Sequence, residues 1–280
     1  MKKLFAYAKI NIFLEITGKR ADGYHSIDSV MQTVSLCDEI DLEITSQTGI
    51  SLSCPGIDIP QEKNLAYRAA SIFFERAGLS FGAQIKVHKN IPSEAGLGGG
   101  SADAAAVLKA LNIRFRCFSE NELCDLGASL GSDVPFCIKG GCARAEGRGE
   151  ILTPVSSGIP DCAIVIVKGK KPTSTAQAYR MIDSLDYSPK ANKTLSALDA
   201  MDLKRICDSA FNRFEDAVYF DRDAADVMKL HGALTARLTG SGSAIFGIFD
   251  SDEKAEAAAG ALKKSGYAVF SCRPVEGPIV

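Results

Sequence analysis

The sequence predicts an α+β fold in two domains, and three observations carry this prediction. A chain of 280 residues, 46% apolar and 24% charged, is long enough for one large core or two smaller ones. Segments with the alternation of strands and segments with helical spacing are mixed without a strict strand–helix order. The Pro/Ser/Gly-rich segment TPVSSGIP (153–160) marks a boundary, so we expect domains at 1–155 and 156–280.

In the first domain, apolar residues alternate along 4–16 and predict a strand, which a polar, glycine-containing loop over 18–26 follows. The same alternation predicts further strands over 27–36, 39–45, 50–54 and 83–89, and a short one near 135–138. Helical spacing predicts helices over 63–77, 101–112 and 119–129.

In the second domain, DCAIVIVK (161–168) is typical of a buried strand. Strands are also expected at 235–239, 244–249 and 267–272. Helices are expected at 175–184, 193–209, 222–231 and 252–264.

Composition narrows the class of function. Lysine and arginine number 32 against 34 acidic residues, a net charge of −2, so nothing global attracts nucleic acid or an anionic membrane. Nine scattered cysteines without a C-x-x-C pair, and three histidines, argue against a disulfide scaffold or a metal centre. The opening MKKLFAYAK resembles a secretory signal, but polar residues from Lys9 onward interrupt it. We expect a cytoplasmic protein with a small-molecule substrate, either a monomer or a homodimer.

The segment EAGLGGGSADAAAVLKALN (94–112) contains four glycines between Gly96 and Gly100. Glycines let successive N–H groups face a ligand, Ser101 is placed to cap the following helix, and the helix start favours an anion, most plausibly phosphate. A Walker loop is excluded because no lysine precedes Ser101, and the dinucleotide fingerprint fails because Ser101 stands where a glycine or alanine is needed. A flexible turn without a ligand remains an alternative.

Five further residues, in three stretches of the sequence, are candidates for chemistry. Lys9 and Asn11 share a face of the first strand, and an unpaired ammonium among apolar residues is costly, so Lys9 should meet a carboxylate or a phosphate unless this face is a solvated edge. Asp133, in GSDVP, is a turn aspartate on sequence alone. Tyr24 and His25 fit a surface loop equally well.

Several stretches resemble the GHMP kinases, a family of small-molecule ATP kinases. IPSEAGLGGGSADAAAV (91–107) is similar to their phosphate loop, and LTGSGSAIFGIF (238–249) to their C-terminal glycine motif. AYAKINIFLEITGKRADGYHSIDSVMQTV (6–34) and LGSDVPFCIKGGCARAEGRGE (130–150) narrow the resemblance to members that phosphorylate a cytidine diphosphate derivative of methylerythritol in the non-mevalonate isoprenoid route. The matches fall in order over nearly the whole chain.

The resemblance implies an N-terminal domain like ribosomal protein S5 domain 2, a C-terminal ferredoxin-like domain, and an active site in the cleft between them. It also implies ATP with Mg²⁺. It makes Lys9 and Asp133 catalytic: Asp133 would accept the proton of the substrate hydroxyl, and Lys9 would orient Asp133 and keep it ionised.

The resemblance also implies binding residues. The ATP phosphates would meet Pro92, Ser93, Glu94, Ala95, Gly96, Leu97, Gly98, Gly99, Gly100, Ser101 and Ala102. The adenine and ribose would meet Lys89, Asn64, Leu65 and Tyr67. The cytidine substrate would meet Asn11, Tyr24, His25, Thr175, Tyr179 and Gly240. Ser101 is also a candidate contact for magnesium, and the Glu94 carboxylate, where relatives often have a glycine nearby, is expected to point outward, away from the phosphates.

Two alternatives remain at this point. The chain could be another kinase of the family, of the homoserine or mevalonate type, but those substrates offer no base for Tyr24 and His25. It could be a non-catalytic relative that senses a ligand, but a pure binder needs neither Lys9 nor Asp133.

Overall fold

The computed structural model describes residues 1–156, 158–171 and 173–276. A seven-stranded sheet has the order β3-β4-β2-β1-β8, with β5 pairing β2 and β6 pairing β5. Its strands are β1 (Lys2–Lys19), β2 (His25–Thr45), β3 (Gly49–Ser53), β4 (Gly82–His88), β5 (Cys142–Gly147), β6 (Ile151–Pro154) and β8 (Phe211–Asn212). A four-stranded sheet has the order β11-β7-β10-β9. Its strands are β7 (Ala163–Lys168), β9 (Thr235–Leu238), β10 (Ala244–Phe249) and β11 (Val269–Cys272).

The helices fall into two groups. The first group packs with the large sheet and comprises α1 (Leu65–Ala77), α2 (Gly99–Phe115), α3 (Glu120–Ala128) and α4 (Val134–Lys139). The second group comprises α5 (Thr175–Ile182), α6 (Thr194–Asp199), α7 (Leu203–Ser209), α8 (Arg222–Leu230) and α9 (Asp252–Lys264). No helix in the described ranges is long and apolar enough to cross a membrane.

The two sheets share a core. Ile10 and Ile12 of β1 cluster with Ile164, Ile166 and Phe246 of the small sheet. The short strand β8, from the second half of the chain, pairs in parallel with β1 at Phe13 and Leu14. The two halves of the molecule are therefore joined both by packing and by a shared sheet.

Strand β1 has one face buried along its whole apolar series, as its alternation predicts. The opposite face changes along the strand: Phe5 is exposed, whereas Lys9 and Asn11 are buried. They are covered because the loop after β9 lies over them, where the Asn11 N–H donates to the Thr239 hydroxyl at 3.0 Å. The face that carries Lys9 is thus not a solvated edge.

The structure differs from the predicted elements in three places. The segment expected to be a strand near 135–138 is helix α4, which has a proline in its first turn. The strands expected at 27–36 and 39–45 form one continuous strand, β2, in which Asp38 is buried and accepts the Asn90 N–H from the segment after β4. The helix expected at 193–209 is two helices, since Met201 adopts a left-handed φ of 52° between α6 and α7.

The start of α2 also differs from expectation. The helix begins at Gly99 and its N-cap is Gly98, with a left-handed φ of 72° and no side-chain cap. Ser101 therefore does not cap the helix but lies in its first turn, where its hydroxyl is free for other contacts.

The segment predicted to separate the domains lies where the large sheet gives way to the small one. Strand β6 extends to Pro154 and β7 begins at Ala163. Ser157, inside this segment, lies outside the described residues. A boundary at 155/156 remains a prediction.

Candidate active site

Two cavities meet at the glycine run. The first, of about 480 Å³, lies between the start of α1 and residues 89–103. The second, of about 630 Å³, lies between the loop before β2 and helix α5. Gly96, Gly98 and Ser101 line both cavities. A group bound at these three residues would be within reach of ligands in either cavity.

The glycine run forms an anion site at the start of α2. Gly96 and Gly98 have left-handed φ values of 74° and 72°, which only glycine adopts at little cost. The first N–H groups of a 17-residue helix then face the cavity without acceptors in the helix itself. This geometry suits a phosphate group.

The glycine run also touches the loop between β9 and β10. A Cβ atom on Gly96 would overlap the carbonyl oxygen of Thr239, so the two backbones are in direct contact. The Ala244 N–H donates to the Ala95 carbonyl at 3.0 Å. Gly240 lies against Gly96 and lines the second cavity. The loop that would hold phosphate is thus fixed by both halves of the molecule.

Lys9 and Asp133 form an ion pair where the two cavities meet. The Lys9 Nζ lies 3.3 Å from Asp133 Oδ2 and donates to Asn11 Oδ1 at 2.8 Å. Asp133 precedes α4 without a side-chain capping bond, so its carboxylate, about 31% exposed, is free to face the cavity. A Cβ on Gly98 would lie 3.1 Å from Lys9 Cγ, which brings the phosphate loop onto the lysine stem.

Asn11 is held on all sides within the protein. Its Oδ1 accepts from Lys9 and from the Gly240 N–H at 3.1 Å, and its Nδ2 donates to the Ser29 hydroxyl at 2.8 Å. The residue is only 1% exposed, although it borders the second cavity. This arrangement holds the Asn11 side chain beside the Lys9 ammonium, and its role as a substrate ligand remains a prediction.

Beneath the first cavity, Lys89 joins two buried carboxylates. Its Nζ donates to Asp38 and, at 2.7 Å, to Asp103 Oδ2, and Asp38 Oδ1 accepts the N–H groups of Asn90 and Ile91. Burial lowers the pKa of Lys89, but attraction to Asp103 and Asp38 outweighs it and the net shift is upward.

Burial raises the pKa of Asp103 to about 7, and the charge of Asp38 adds to the rise. Its Oδ1 has no hydrogen-bond partner among the described residues. Asp38 has backbone donors that Asp103 lacks, so Asp103 is the carboxyl that holds a proton when two carboxylates share one ammonium.

The far end of the second cavity is aromatic and joins the two halves. The His25 and Tyr179 rings stack at 4.6 Å with an interplanar angle of 17°. His25 Nε2 lies 2.6 Å from Asp183 Oδ1, and Lys19 Nζ donates to Asp183 Oδ2 at 2.6 Å. These two bonds lower the pKa of Asp183. Burial raises the pKa of Tyr179 to about 12, and the charge of Asp133 contributes.

Most residues predicted for the two sites line these cavities. The first cavity is bordered by Asn64, Leu65, Lys89, Pro92, Ser93, Glu94, Ala95, Gly96, Leu97, Gly98, Gly99, Gly100 and Ser101. The second is bordered by Lys9, Asn11, Tyr24, His25, Asp133, Thr175, Tyr179 and Gly240. Thr175 Oγ1 lies 3.1 Å from the Ser241 hydroxyl, where α5 approaches the C-terminal glycine loop.

Two predicted residues are not among those lining the first cavity. Tyr67 lies in the first turn of α1 but does not border the cavity, and Ala102 is buried with its N–H bonded to the Gly98 carbonyl. Glu94 is exposed with a left-handed φ of 53°, a conformation that glycine adopts more easily.

Sequence reasoning missed Asp38, Asp103 and Asp183. Asp38 sits in an alternating strand and Asp103 among alanines, so neither pattern marks them as partners of a lysine far away in the sequence. Only Asp103 carried a signal, since it is a carboxylate between two alanines.

The chain is similar to proteins of known family. Residues 64–141 match the model of the GHMP kinases N terminal domain, and 195–268 match that of the GHMP kinases C terminal domain. The 4-diphosphocytidyl-2-C-methyl-D-erythritol kinase of Clostridium beijerinckii is 40% identical over 98% of this chain and 100% of its own length.

Solved structures agree. A crystal structure of 4-(cytidine 5'-diphospho)-2C-methyl-D-erythritol kinase superposes with a TM-score of 0.83, at 31% identity over 99% of this chain and all of that one. A homoserine kinase from Cytophaga hutchinsonii, at 20% identity over 98% of this chain and 94% of that one, has a TM-score of 0.74 and shows likeness of fold alone. The predicted two-domain α+β fold and the predicted resemblance are therefore confirmed, and the chain belongs to the 4-diphosphocytidyl-2-C-methyl-D-erythritol kinase family of the GHMP kinases.

Proposed function

We propose that the chain transfers the γ-phosphoryl group of ATP to the 2-hydroxyl of 4-diphosphocytidyl-2-C-methyl-D-erythritol, a step towards isoprenoid precursors. The observation that carries this proposal is the shared wall of the two cavities. Gly96, Gly98 and Ser101 border both, and the Lys9–Asp133 pair lies beside them. Donor and acceptor bound in separate cavities would thus meet at an acid–base pair.

ATP is the donor in this proposal, and its phosphates would lie at the start of α2. The fit of ATP rests on the left-handed glycines and on the open cradle that they form. A Cβ on Gly98 would lie against Lys9, and one on Gly99 would lie against Lys89, so either would narrow this cradle. The apolar residues Ile57, Leu65 and Ile91 border the same cavity and suit a purine.

Magnesium would accompany the ATP. Within the described residues, no group of three His, Cys, Asp or Glu side chains could hold a metal by itself. Mg²⁺ commonly takes most of its ligands from phosphate oxygens and water, and here the Ser101 hydroxyl at the shared wall would complete the set. Once bound, the ion supplies neutralisation of the charge that develops on the phosphates.

Asp133 is the proton acceptor in this mechanism. As the substrate hydroxyl oxygen forms its bond to the γ-phosphorus and the bond to the ADP oxygen breaks, the hydroxyl proton passes to the Asp133 carboxylate. Lys9, held by Asn11, keeps the Asp133 carboxylate oriented towards the cavity. Positioning and charge neutralisation by the phosphate loop supply most of the remaining acceleration.

The cytidine end of the acceptor would occupy the aromatic end of the second cavity. Tyr24 and Tyr179 offer ring faces for stacking, and His25, whose Nε2 is bonded to Asp183, offers Nδ1 and backbone groups to the edge of the base. Stacking accepts any base, so hydrogen bonds to the base edge must provide selectivity. Thr175 and Gly240 would lie towards the reacting end, near the shared wall.

The test is release of ADP from Mg·ATP with the cytidine substrate. We expect turnover with this acceptor and none with homoserine or mevalonate. Asp133→Asn should lower kcat by roughly 10²- to 10⁴-fold, because it removes the base while keeping size and shape. Asp125→Asn, at an exposed aspartate on α3, is the matched control and should keep full activity.

Two results would contradict the proposal. Turnover with homoserine or mevalonate alone would retain the kinase and reject the substrate. Full activity of Asp133→Asn with the cytidine acceptor would retain the substrate and reject Asp133 as the base.

A further inference from the structure

A tight hairpin brings Arg148 to the aromatic end of the second cavity. Strand β5 is antiparallel to β2, and Gly147 at its end pairs with Ile27 near the beginning of β2. The turn between β5 and β6 then continues past the start of β2, closed by a bond from the Gly149 N–H to the Glu146 carbonyl at 3.0 Å. Tyr24 immediately precedes β2, so the tip of the hairpin and Tyr24 are neighbours.

The Arg148 side chain lies over the Tyr24 ring. Its Cζ is 5.0 Å from the ring centroid, within the range of a cation–π contact, and both residues line the second cavity. Glu150 holds the arginine in place. Its carboxylate accepts the backbone N–H of Arg148 at 2.6 Å, and it lies 3.6 Å from Nε of the Arg148 guanidinium.

Tyr24 has little else to hold its ring. It is 56% exposed, and the described ring contacts of Tyr24 consist of the one with Arg148. Its backbone is better fixed, because the Tyr24 N–H donates to Asp22 Oδ1 at 3.1 Å. That bond lowers the pKa of Asp22, and the charges of Arg20 and Arg148 add to the effect.

We propose that Arg148 is a positioning residue for the acceptor: it covers one face of the Tyr24 ring and so holds the other face ready for the pyrimidine base. This rests on the proposed function, in which Tyr24 stacks on that base. An exposed tyrosine in a loop would otherwise adopt several rotamers, and binding would have to restrict them. A ring already held by a guanidinium loses less freedom when the base stacks.

The expected effect is modest and confined to one substrate. Arg148→Met should raise KM for the cytidine acceptor roughly 2- to 5-fold, the range of exposed cation–π contacts. Both kcat and the KM for ATP should stay unchanged, because Arg148 does not border the first cavity, where ATP is proposed to bind. Arg148→Lys, which keeps the cation, should recover part of the loss.

The experiment is steady-state kinetics on the full chain, with both substrates varied. Arg114→Met is the matched control, because Arg114 lies 5.3 Å from the Phe115 ring in an exposed contact on α2 that borders neither cavity. Arg148→Met/Glu150→Gln checks that the rise in KM does not come from the Glu150 carboxylate left without its arginine. Tyr24→Leu and the double variant Tyr24→Leu/Arg148→Met complete a thermodynamic cycle.

The cycle decides the outcome. If Arg148 acts through Tyr24, its substitution should have no effect once Tyr24 is leucine. An equal KM effect in both backgrounds would overturn the proposal, as would an unchanged KM in Arg148→Met. The wild-type reaction with the cytidine acceptor is measured in the same experiment, so failure of the proposed function would be seen separately as absence of that activity.

Discussion

The two cavities are built in different ways. The first is called the donor cavity below, because the proposed function places ATP there, and the second is called the acceptor cavity. Every residue that borders the donor cavity lies between Cys54 and Asp103, and many of them contribute backbone groups or apolar surface. The acceptor cavity draws its lining from Lys9 to Ser241 and is rich in charged and aromatic side chains. The lining of the donor cavity thus comes from one stretch of chain, although the loop after β9 also supports its glycine run, whereas the lining of the acceptor cavity comes from both halves.

This difference separates phosphate binding, which many folds can provide, from the choice of acceptor, which is specific to each protein. Backbone N–H groups at a helix start bind phosphate whatever the rest of the molecule is. Side chains gathered from distant positions can be exchanged one at a time, so the acceptor cavity is where members of one fold can differ in substrate. Three substitutions test this division.

The largest effect is expected from Gly96→Ala, in the wall that the cavities share. A Cβ there would overlap the Thr239 carbonyl and would sit at a φ of 74°. The phosphate loop must then move away from the C-terminal loop, and we expect kcat to fall by roughly two orders of magnitude or more because the reacting groups lose alignment. Steady-state kinetics with both substrates measures this.

Gly56→Ala is the control for backbone strain alone. Gly56 also has a positive φ, 85°, but nothing lies within 4 Å of the position that a Cβ would take there. The substitution should lower the free energy of unfolding by about 1 kcal/mol and leave kcat unchanged. Equal kinetic losses in the two variants would show that the contact between the loops is unimportant.

A smaller effect is expected from Asp183→Asn, which acts on the acceptor cavity alone. Asp183 bonds His25 and Lys19 from the opposite half of the molecule. Loss of its charge should weaken both bonds and raise KM for the cytidine acceptor about 10-fold, in line with roughly 1.5 kcal/mol for a charge-assisted bond. KM for ATP should not change. Asp186→Asn, nearby and exposed, is the matched control; a parallel rise in both KM values would contradict the division.

Asp103→Asn, beneath the donor cavity, is tested through stability rather than through kinetics. The folded-state pKa of Asp103 is raised to about 7 from an ordinary 3.8. Between these values the folded protein holds a proton that the unfolded chain has released, so this group's contribution to stability falls as pH rises from about 4 to 7. The free energy of unfolding of Asp103→Asn minus that of the wild type should therefore increase across this range and then level off. Chemical denaturation at several pH values measures this difference. A difference that stays constant with pH would refute the raised pKa of Asp103.

The elements that could be predicted carry local signals. Helix α9 begins and ends as expected, because Ser251 caps it, Asp252 and Glu253 lie in its first turn, and two lysines lie in its last. The segment at α4 carries a short apolar run that suits a strand or a helix equally well. Its helical form is decided by packing against α2 and α3, which the local sequence does not contain.

The candidate site divides in the same way. The glycine run indicated an anion site without any knowledge of the fold, since its chemistry lies in the backbone. Asp183 and Arg148 could not have been assigned to the acceptor cavity, because each reaches it only through the pairing of strands or the docking of α5. Ser101 was predicted as a cap but is not one, because Gly98 starts the helix three residues earlier.

Strand β2 links the ends of the whole site. Its first residue, His25, borders the acceptor cavity, and Asp38, 13 residues further on, anchors the lysine beneath the donor cavity. At roughly 3.3 Å per residue the path between them is at most about 43 Å, and it is not regular throughout, because the pairing with β1 shifts register between Thr33 and Cys37. A single inserted or deleted residue on this path would shift one end by a full step and turn every later side chain to the opposite face. Changes in length should therefore be confined to the turns on either side of β2, and the spacing of 13 residues becomes a number that any redesign of this enzyme must keep.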